Sequence, residues 1–416
     1  MLQVFSSSWA LLLGMMLLMV GNGLQGTLLG VRGGLEGFST FEMSVVMSAY
    51  FAGFLGGSRL APEMIRRVGH VRVFAALASF ISAILILYPA FAHPVAWAVG
   101  RAAIGFCFSG VYVTAESWLN NSADNANRGK ALSVYMIVQM FGIVSAQVLL
   151  TLGDASGYAL FIVSSVLVSI SFAPILLSIS PTPAFETAKP MPLKNLMLTS
   201  PLGCFGMFLL GGVFSAQFGM SAVYGVAAGL TIAQISIFVS SIYVGALLMQ
   251  YPIGWFSDRV DRRLVILLVA AMGGAMSVVA FLFDHYFGVL LVAAFVIGGT
   301  SNPLYSLLIA YTNDYLEADD MAAAAGGLIF INGMGAISGP LVTGWMMDTF
   351  GTQAFFMVIA ILMLSLTGYA GYRMTQRTRD GIEDGAYAPV LPSASLVSVE
   401  VASEYYIETA LEEESN

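Results

Sequence analysis

The chain contains a parallel internal repeat with a period of about 193 residues, which constrains its fold more than any other feature. The recurring landmarks are Arg67-Val68 and Arg259-Val260, Gly105 and Gly298, Tyr112 and Tyr305, and Gly157…Phe161 and Gly351…Phe355. Each copy holds six apolar stretches. Duplicated sets of apolar segments predict two helical bundles related by an axis along the membrane normal, with a cleft between them. Such an arrangement is suited to moving solutes.

The apolar stretches have the length that transmembrane helices require. A helix that crosses a hydrocarbon core of ~30 Å needs about 20 residues. The predicted spans are 6–31, 43–58, 73–92, 94–115, 131–153, 157–179, 201–227, 230–252, 264–283, 287–311, 321–347 and 349–372. The 63 residues between Lys194 and Asp258 carry no charge, too many for one crossing, so a turn is predicted at 225–229. We therefore predict an all-α membrane protein with twelve transmembrane helices in two pseudo-symmetric six-helix bundles.

The repeat also fixes the predicted domain boundaries. The N-terminal bundle covers 1–178 and the C-terminal bundle 201–376. A Pro-, Ser- and Thr-rich cytoplasmic linker, 179–200, joins them and is long enough to allow relative motion. The tail, 377–416, is acidic and is predicted to be mostly disordered. Nine acidic residues lie from Asp380 to the end of the chain, and that stretch has no Lys or Arg. A marginal helix over 396–411 is predicted within it, with Val399, Val401, Tyr406 and Ile407 as its apolar residues.

The basic residues predict how the chain is oriented. Fourteen of the 16 lie in the central loop or in the segments that follow spans two, four, eight and twelve, which are all on one face. Only Arg32, at the end of span one, and Arg101, inside span four, depart from this pattern. Because loops rich in Lys and Arg remain in the cytoplasm, both termini are predicted to be cytoplasmic.

The end of span eight carries a glycine followed by a charged loop. Gly254 precedes Asp258-Arg259, and the further arginines Arg262 and Arg263 follow. This pattern resembles the loop motif of the major facilitator superfamily, which implies a cytoplasmic gate. The small Gly254 would permit close helix approach, and Asp258 would accept from helix N-terminal amides or pair with arginines. The alternative is an ordinary basic cytoplasmic loop.

The first half carries a degraded copy of that motif and a second charged group. Arg67 is kept, whereas Glu63 stands near the expected Asp. Span four ends in Glu116-Ser-Trp-Leu-Asn, with Arg128-Gly behind it, which resembles sugar-porter-like members and a bacterial branch of the superfamily termed YcaD-like. The resemblance implies that Glu116 pairs with Arg67 or Arg128 when the inner gate closes, forming a bistable element. The alternative is that these charges only keep a loop soluble.

Arg101 is the most informative single residue. It lies about seven residues inside span four, where an arginine costs at least ~2.5 kcal/mol in hydrocarbon. It is therefore expected to face the bundle interior or a wet cavity. In the resembling superfamily an arginine here is tied to proton coupling or to anionic substrate groups. The alternative is that Arg101 snorkels to the outer surface.

The resemblance implies that spans one, four, seven and ten line the cavity. Asn22 and Gln25 lie one helical turn apart, so they share a face of span one. The other predicted cavity residues are Arg101, Tyr112, Gln217, Tyr224, Asn302 and Tyr305. Amide side chains can hold hydroxyl, carbonyl or carboxylate groups. The alternative for each polar residue is a role in helix–helix packing.

Several chemistries find no support in the sequence. No Gly-rich string ends in the Gly-Lys-Ser/Thr of a phosphate-binding loop. No metal-ligand or nucleophile pattern appears, so we expect neither an enzyme nor a bound cofactor. The expected partners are a small-molecule substrate, the lipid bilayer and protons as the coupling ion, with no nucleic acid. The resemblance implies a monomer.

These observations predict a secondary active transporter that moves a small organic solute across the bacterial cytoplasmic membrane by alternating access. We expect coupling to protons, and we favour export over uptake because the spans are apolar and Met-rich and Arg101 is present. Two alternatives remain open. One is a non-transporting membrane sensor or scaffold that signals through the acidic tail. The other is a lipid scramblase.

Overall fold

The computed structural model describes residues 2–122, 128–177, 191–376 and 387–415. The side chains of 2–7, 121–122, 128–129, 177, 318–319 and 408–415 are outside this description. The described backbone is almost entirely helical. The N-terminal bundle consists of α1 (Leu2–Leu35), α2 (Thr40–Val68), α3 (His70–Ala90), α4 (Pro94–Ser122), α5 (Arg128–Thr151), α6 (Ala159–Ser171) and α7 (Ala173–Leu177). Helices α6 and α7 together form the sixth span.

A short helix, α8 (Leu193–Thr199), leads into the second bundle. That bundle consists of α9 (Pro201–Ala227), α10 (Ile232–Ser257), α11 (Arg262–Leu282), α12 (Phe287–Asn313), α13 (Ala318–Phe350) and α14 (Ala354–Gln376). A last helix, α15 (Leu396–Ser415), lies in the tail. The predicted all-α membrane fold is confirmed.

Eleven helices within the described ranges are long and apolar enough to cross a membrane. The twelfth predicted span is α2, which does not meet this criterion by composition. Its apolar stretch, 43–58, is short, and charged residues follow at Arg59 and Glu63. Helix α2 nevertheless has 29 residues and packs closely on α4, so it completes the first bundle.

The sequence repeat has a structural counterpart in how paired helices approach each other. A Cβ added to Gly105 of α4 would lie 2.0 Å from the carbonyl oxygen of Tyr50 on α2. A Cβ added to Gly298 of α12 would lie 2.1 Å from the carbonyl oxygen of Ile242 on α10. Both glycines therefore allow backbone contact between the corresponding helices of the two bundles, as small residues do at membrane helix interfaces.

The predicted turn at 225–229 ends the first helix of the second bundle. Gly229 has a φ of +73°, a conformation that a residue with a Cβ rarely adopts. Thr231 then caps α10, because its side chain accepts from the Gln234 amide while the Gln234 side chain accepts from the Thr231 amide. This glycine and capping box divide the long uncharged segment into two crossings.

The two bundles touch directly at one end of the molecule. We call the face that carries the basic loops the inner face and the opposite one the outer face; the predicted orientation places the inner face in the cytoplasm. Near the outer face, Gly30 of α1 lies against Ala222 of α9, and Gly344 of α13 lies against Ser44 of α2. The cleft between the bundles is therefore closed toward the outer face.

Part of the tail folds against the bundles near the inner face. The prediction of a mostly disordered tail is therefore wrong for 387–415, while 377–386 lies outside the described residues. The physical reason is visible in the sequence, because residues 385–403 carry a single charge, Glu400, and several valines. Helix α15 covers the predicted marginal helix, and Val399, Val401 and Tyr406 are buried.

Candidate functional site: a central cavity between the bundles

A cavity with a volume of about 140 Å³ lies between the two bundles. Helices from both halves contribute side chains to it, as the duplicated architecture predicts. Six amide side chains line it; they are Asn22, Gln139, Gln147, Gln217, Asn302 and Asn332. Among the described lining residues there is no Asp or Glu, so Arg101 is the one charged group in the wall.

Arg101 faces this cavity and is 4% exposed. Its guanidinium carbon lies 4.6 Å from the centre of the Tyr50 ring, a cation–π contact. One terminal nitrogen lies 3.5 Å from the sulfur of Met47. Within the described part of the chain no carboxylate pairs with Arg101, and its Nε has no hydrogen-bond partner. A buried cation therefore borders the cavity without an anion to compensate it.

Several amides in the wall have unused hydrogen-bonding atoms. Gln217 accepts from the Ser301 hydroxyl at 3.1 Å, but its Nε2 is unpaired among the described groups. Asn302 donates to the Gly298 carbonyl at 3.2 Å, whereas its Oδ1 is unpaired. Gln147 likewise leaves its Oε1 free. Buried polar atoms without partners are costly, so these atoms are suited to binding solute or water inside the cavity.

Aromatic rings form much of the remaining wall. Tyr50 lies 6.1 Å from Phe54, which in turn lies 6.0 Å from Tyr112, measured between ring centres. In the second bundle, Phe218 lies 4.8 Å from Tyr243. All five rings line the cavity. The wall therefore combines apolar surface with hydroxyl and amide groups, as ligand sites for amphipathic molecules do.

The structure separates the predicted cavity residues into two groups. Asn22, Arg101, Tyr112, Gln217 and Asn302 line the cavity.

Three of the predicted cavity residues do not line it. Gln25 is buried beside the wall, because the helical turn points Asn22 and Gly26 into the cavity instead. Tyr224 stacks on Phe355 with ring centres 4.9 Å apart, inside the second bundle. Tyr305 is also buried outside the wall. The assignments of Gln25, Tyr224 and Tyr305 to the cavity are therefore wrong.

Sequence reasoning also missed cavity residues on four other helices. Tyr50 lies on α2, Gln139 and Gln147 on α5, Tyr243 on α10, and Asn332 on α13. The family resemblance implies a cavity lined by spans one, four, seven and ten, and these residues lie on other helices. The signal that could have found these residues is the amide or tyrosine in the middle of an otherwise apolar span, where a polar side chain needs a polar environment.

The predicted gate residues of the first bundle are not joined to each other. Arg67 pairs with Glu63 one turn away, with its Nε 2.7 Å from the carboxylate oxygen, and both side chains are solvent-exposed. Glu116 is 1% exposed and accepts from the backbone N–H of Ser395 at 2.8 Å. The Glu116–Arg67 pair is therefore not formed in this conformation, and since it is predicted for the closed inner gate, it stays a prediction. The side chain of Arg128 lies outside the described residues, so its pairing with Glu116 stays a prediction.

The arginines of the second bundle form contacts within that bundle. Arg262 pairs with Asp314 at 2.5 Å, and both side chains are almost completely buried. Arg263 pairs with Asp261 at 2.8 Å. Arg259 stacks over the ring of Trp255 at 4.1 Å.

The remaining two residues of the predicted gate contact the tail. Asp258 accepts from the backbone N–H of Tyr387 at 2.8 Å. A Cβ added to Gly254 would lie 2.5 Å from the ring of Tyr387, so this glycine makes room for the tail rather than for another membrane helix. The expectation that Asp258 pairs with arginines across the bundle interface does not describe this conformation.

The described ranges contain no group of three His, Cys, Asp or Glu side chains placed to hold a metal ion. The groups around the cavity are suited to binding a solute: they are a fixed positive charge, amides with unpaired atoms and aromatic rings.

Two family models match successive parts of the chain. The model described as Sugar (and other) transporter matches residues 5–191. The model described as Major Facilitator Superfamily matches residues 203–381. The boundary between the matches coincides with the boundary between the two bundles.

Individual proteins show the same likeness over almost the whole chain. The uncharacterized MFS-type transporter YcaD of Escherichia coli O45:K1 (strain S88 / ExPEC) is 27% identical over 372 residues, which cover 87% of this chain and 95% of the relative. A crystal structure of a point mutant of the nucleoside transporter NupG has a TM-score of 0.75 at 14% identity, covering 88% of this chain and 99% of that one. A structure of the E. coli fucose:proton symporter FucP has a TM-score of 0.57 at 16% identity, covering 89% and 98%.

Proposed function

The chain belongs to the major facilitator superfamily, a family of membrane transporters rather than enzymes, and from that premise we propose that it carries a small organic solute with an anionic group through the central cavity. Transport proceeds by alternating access, in which the two bundles rock about the cavity so that it opens to one face at a time. The protein resides in the bacterial cytoplasmic membrane as a monomer, with both termini in the cytoplasm.

The observation that carries this proposal is the uncompensated charge of Arg101. A buried guanidinium is costly in a membrane unless it is paired or hydrated. Its planar fork matches a carboxylate or phosphate with two parallel hydrogen bonds. Because Arg101 faces the cavity and no carboxylate among the described residues pairs with it, an anionic group on the solute is the partner that fits.

The rest of the wall suits the remainder of such a solute. The unpaired atoms of Gln217 and Asn302 can bind hydroxyl or carbonyl groups. The rings of Tyr50, Phe218 and Tyr243 offer an apolar surface. This combination favours an amphipathic organic anion. We propose export as the net direction, because the spans are apolar and Met-rich and Arg101 borders the cavity.

Protons are the coupling ion that we propose. The gradient would act through an acid at the edge of the cavity, since none of the described lining residues is acidic. Glu116 is such an acid: it is buried, lies at the inner end of α4, and accepts from neutral donors that include the Ser395 amide at 2.8 Å and the Tyr135 hydroxyl at 3.4 Å. Loss or gain of one proton at this position would change the charge of Glu116 and so the strength of its contact with Ser395.

The test begins with a thermal-shift screen of the purified protein against a library of organic anions and their neutral analogues. Compounds that raise the melting temperature are then assayed for accumulation in proteoliposomes with an imposed pH gradient. The proposal predicts that only anionic compounds are accumulated and that collapsing the gradient stops accumulation. Flux of neutral analogues at equal rates would contradict the anion assignment. Accumulation that persists without the gradient would contradict proton coupling.

A further inference from the structure

Residues 387–407 of the tail, which we call the C-terminal segment, fill the inner opening of the cleft. The segment begins beside α10, where its Tyr387 N–H donates to Asp258 at 2.8 Å and its Tyr387 hydroxyl accepts from Gln250 at 2.8 Å. Three residues later, both backbone groups of Val390 bond to the Ser306 hydroxyl of α12, at 2.8 and 3.0 Å. The start of the segment is therefore held by specific polar contacts to the second bundle.

The next part of the segment reaches the solute cavity itself. Leu391, Pro392, Ser393 and Ala394 form part of the cavity wall. Directly after them, Ser395 donates its N–H to Glu116 on α4. Since Ser306 belongs to the second bundle and Glu116 to the first, the segment spans the gap between the bundles at the inner face.

Helix α15 then anchors the segment by burying its apolar side chains. Val399 is 0% exposed, and Val401 and Ala402 are also buried. Polar side chains bond on either side, as Asn313 of α12 donates to the Ser403 hydroxyl at 3.1 Å and Tyr406 donates to Asp314 at 2.8 Å. Burial of apolar surface on nearly every side of residues 397–403 is typical of a helix enclosed by other elements.

In three of these contacts the bundles supply an acidic acceptor and the segment supplies a neutral donor. Three acidic residues of the bundles, Glu116, Asp258 and Asp314, each accept a hydrogen bond from the segment. The donors are neutral, namely two backbone amides and one tyrosine hydroxyl, and residues 387–407 carry no Lys or Arg. Binding of the segment through these three contacts therefore does not depend on ion pairs.

Two of those acids are the ones on which closure of the inner gate would depend. In alternating access, the inner opening closes when the bundles approach each other on that side. The segment occupies that space, and it holds Glu116 and Asp258 while Arg67 stays on its own helix with Glu63. The segment and gate closure therefore compete for the same volume and for the same carboxylates.

Resting on the proposed function, we propose that the inner opening is a binding site for the chain's own C-terminal segment. In the bound state, residues 391–394 seal the solute cavity from the cytoplasm and hold the bundles open on the inner side. Solute exchange with the cytoplasm and return to the outward-facing state both require the segment to leave. The segment is thus a built-in inhibitor of the transport cycle.

The test measures how fast a cysteine in the cavity is labelled from the inner face. Ser221 lines the cavity, and Ser221→Cys is a near-isosteric change made in the full chain with Cys107 and Cys204 replaced by alanine. A membrane-impermeant maleimide is applied to inside-out vesicles. Val399→Asp places a charge on a fully buried face of α15 and should expel the segment, raising the labelling rate at least tenfold. The matched control, Tyr405→Asp, adds the same charge where the side chain is 43% exposed and should leave the rate unchanged.

A cross-link provides a second measurement that does not depend on the folding of Val399→Asp. The pair Asn313→Cys and Ser403→Cys replaces side chains whose polar atoms are 3.1 Å apart and should form a disulfide in native membranes. The pair Asn313→Cys and Tyr405→Cys, with the second cysteine on the exposed face of α15, should not. Absence of the first cross-link would overturn the binding site.

The outcomes separate this inference from the proposed function. Equal labelling of Ser221→Cys with and without Val399→Asp would overturn the inhibitory segment and leave the transporter standing. No labelling of Ser221→Cys from either face, in any variant, would show that the cavity is not a passage and would remove the proposed function as well. Faster labelling in Val399→Asp alone supports both.

Discussion

The carboxylate of Glu116 accepts a hydrogen bond from the backbone N–H of Ser395 at 2.8 Å, across a sequence separation of 279 residues. The contact joins the inner end of α4 to the tail. It occupies the acid that the sequence predicts to pair with an arginine in the gate. An acid that binds the tail in one state and an arginine in another would couple tail release to gate closure.

Arg101→Ala should weaken ligand binding without unfolding the protein. The loss of a bidentate bond to an anionic ligand costs about 1.5–3 kcal/mol, which is about a 10- to 100-fold weaker Kd. Removing a buried charge that lacks a carboxylate partner should not lower the melting temperature of the free protein. Thermal shift with the compound found in the anion screen measures both effects, with the exposed Arg72→Ala as control. An unchanged shift in Arg101→Ala would show that Arg101 does not contact the solute.

Gly53→Ala should destabilise the first bundle. A Cβ at this position of α2 would lie 1.8 Å from the carbonyl oxygen of Ala102, so α2 and α4 must move apart. Overpacking of this kind costs about 1–3 kcal/mol. Gly245→Ala should behave alike, because its Cβ would lie 2.0 Å from the Phe295 carbonyl oxygen in the repeated position.

Gly368→Ala is the control for both glycine variants, since a Cβ there meets nothing within 4 Å. Thermal unfolding in detergent compares the three. Equal melting temperatures would mean that the two close helix contacts are not as tight as the structure describes.

Breaking the buried pair of Arg262 and Asp314 should destabilise the protein strongly. Replacing one partner leaves an unpaired buried charge and costs about 3–5 kcal/mol. The double variant Arg262→Leu with Asp314→Leu should be less destabilised than the sum of the two single variants. Arg66→Ala, which breaks an exposed pair with Glu63, should cost only about 0–1 kcal/mol. Strict additivity in the melting temperatures would contradict a coupled pair.

Binding of the C-terminal segment should weaken as the pH rises. Burial, together with the neighbouring charge of Glu404, raises the pKa of Glu400 in α15 from 4.5 to about 7. Release returns the pKa toward its ordinary value, so the bound state is favoured most below pH 4.5 and loses stability until about pH 7. Deuterium exchange of residues 396–407, corrected for intrinsic rates, should become several-fold faster across this interval.

Glu400→Gln should reduce that pH dependence by the contribution of this one group. Glu116 and Asp314, which face the tail from α4 and α12, are present in both proteins, so the difference isolates Glu400. Persistence of the full pH dependence in Glu400→Gln would assign it to another group.

Much of the fold could be predicted because it depends on local and repeated patterns. Apolar length identifies eleven of the spans, and Gly225–Gly229 with the Thr231 cap divides the long uncharged segment. The equivalence of Gly105 and Gly298 predicts that corresponding helices meet alike in both bundles, as they do at Tyr50 and Ile242. Membrane insertion and backbone sterics act on such patterns directly, so one sequence is enough to reveal them.

The site could be predicted only in part, because cavity lining depends on helix rotation. Asn22 and Gln25 lie one turn apart, yet only Asn22 lines the cavity. Tyr224 and Tyr305 were placed by helix number alone, and packing against Phe355 turns Tyr224 into the bundle. Ion-pair partners depend on the conformational state, which is why Arg67 lies with Glu63 and not with Glu116. The total charge of the tail predicts disorder, but the C-terminal segment carries only two acids, Glu400 and Glu404.

Distance measurements between spin labels test the central claim of alternating access most directly. The pair Leu35→Cys and Ala228→Cys measures the distance between the outer ends of α1 and α9. The pair Lys130→Cys and Glu317→Cys measures the distance between the inner ends of α5 and α13. All four positions are exposed. In lipid bilayers, conditions that lengthen the outer distance, such as added ligand or a change of pH, should shorten the inner one. A single, unchanging distance for both pairs under every condition would contradict a carrier that opens to one face at a time.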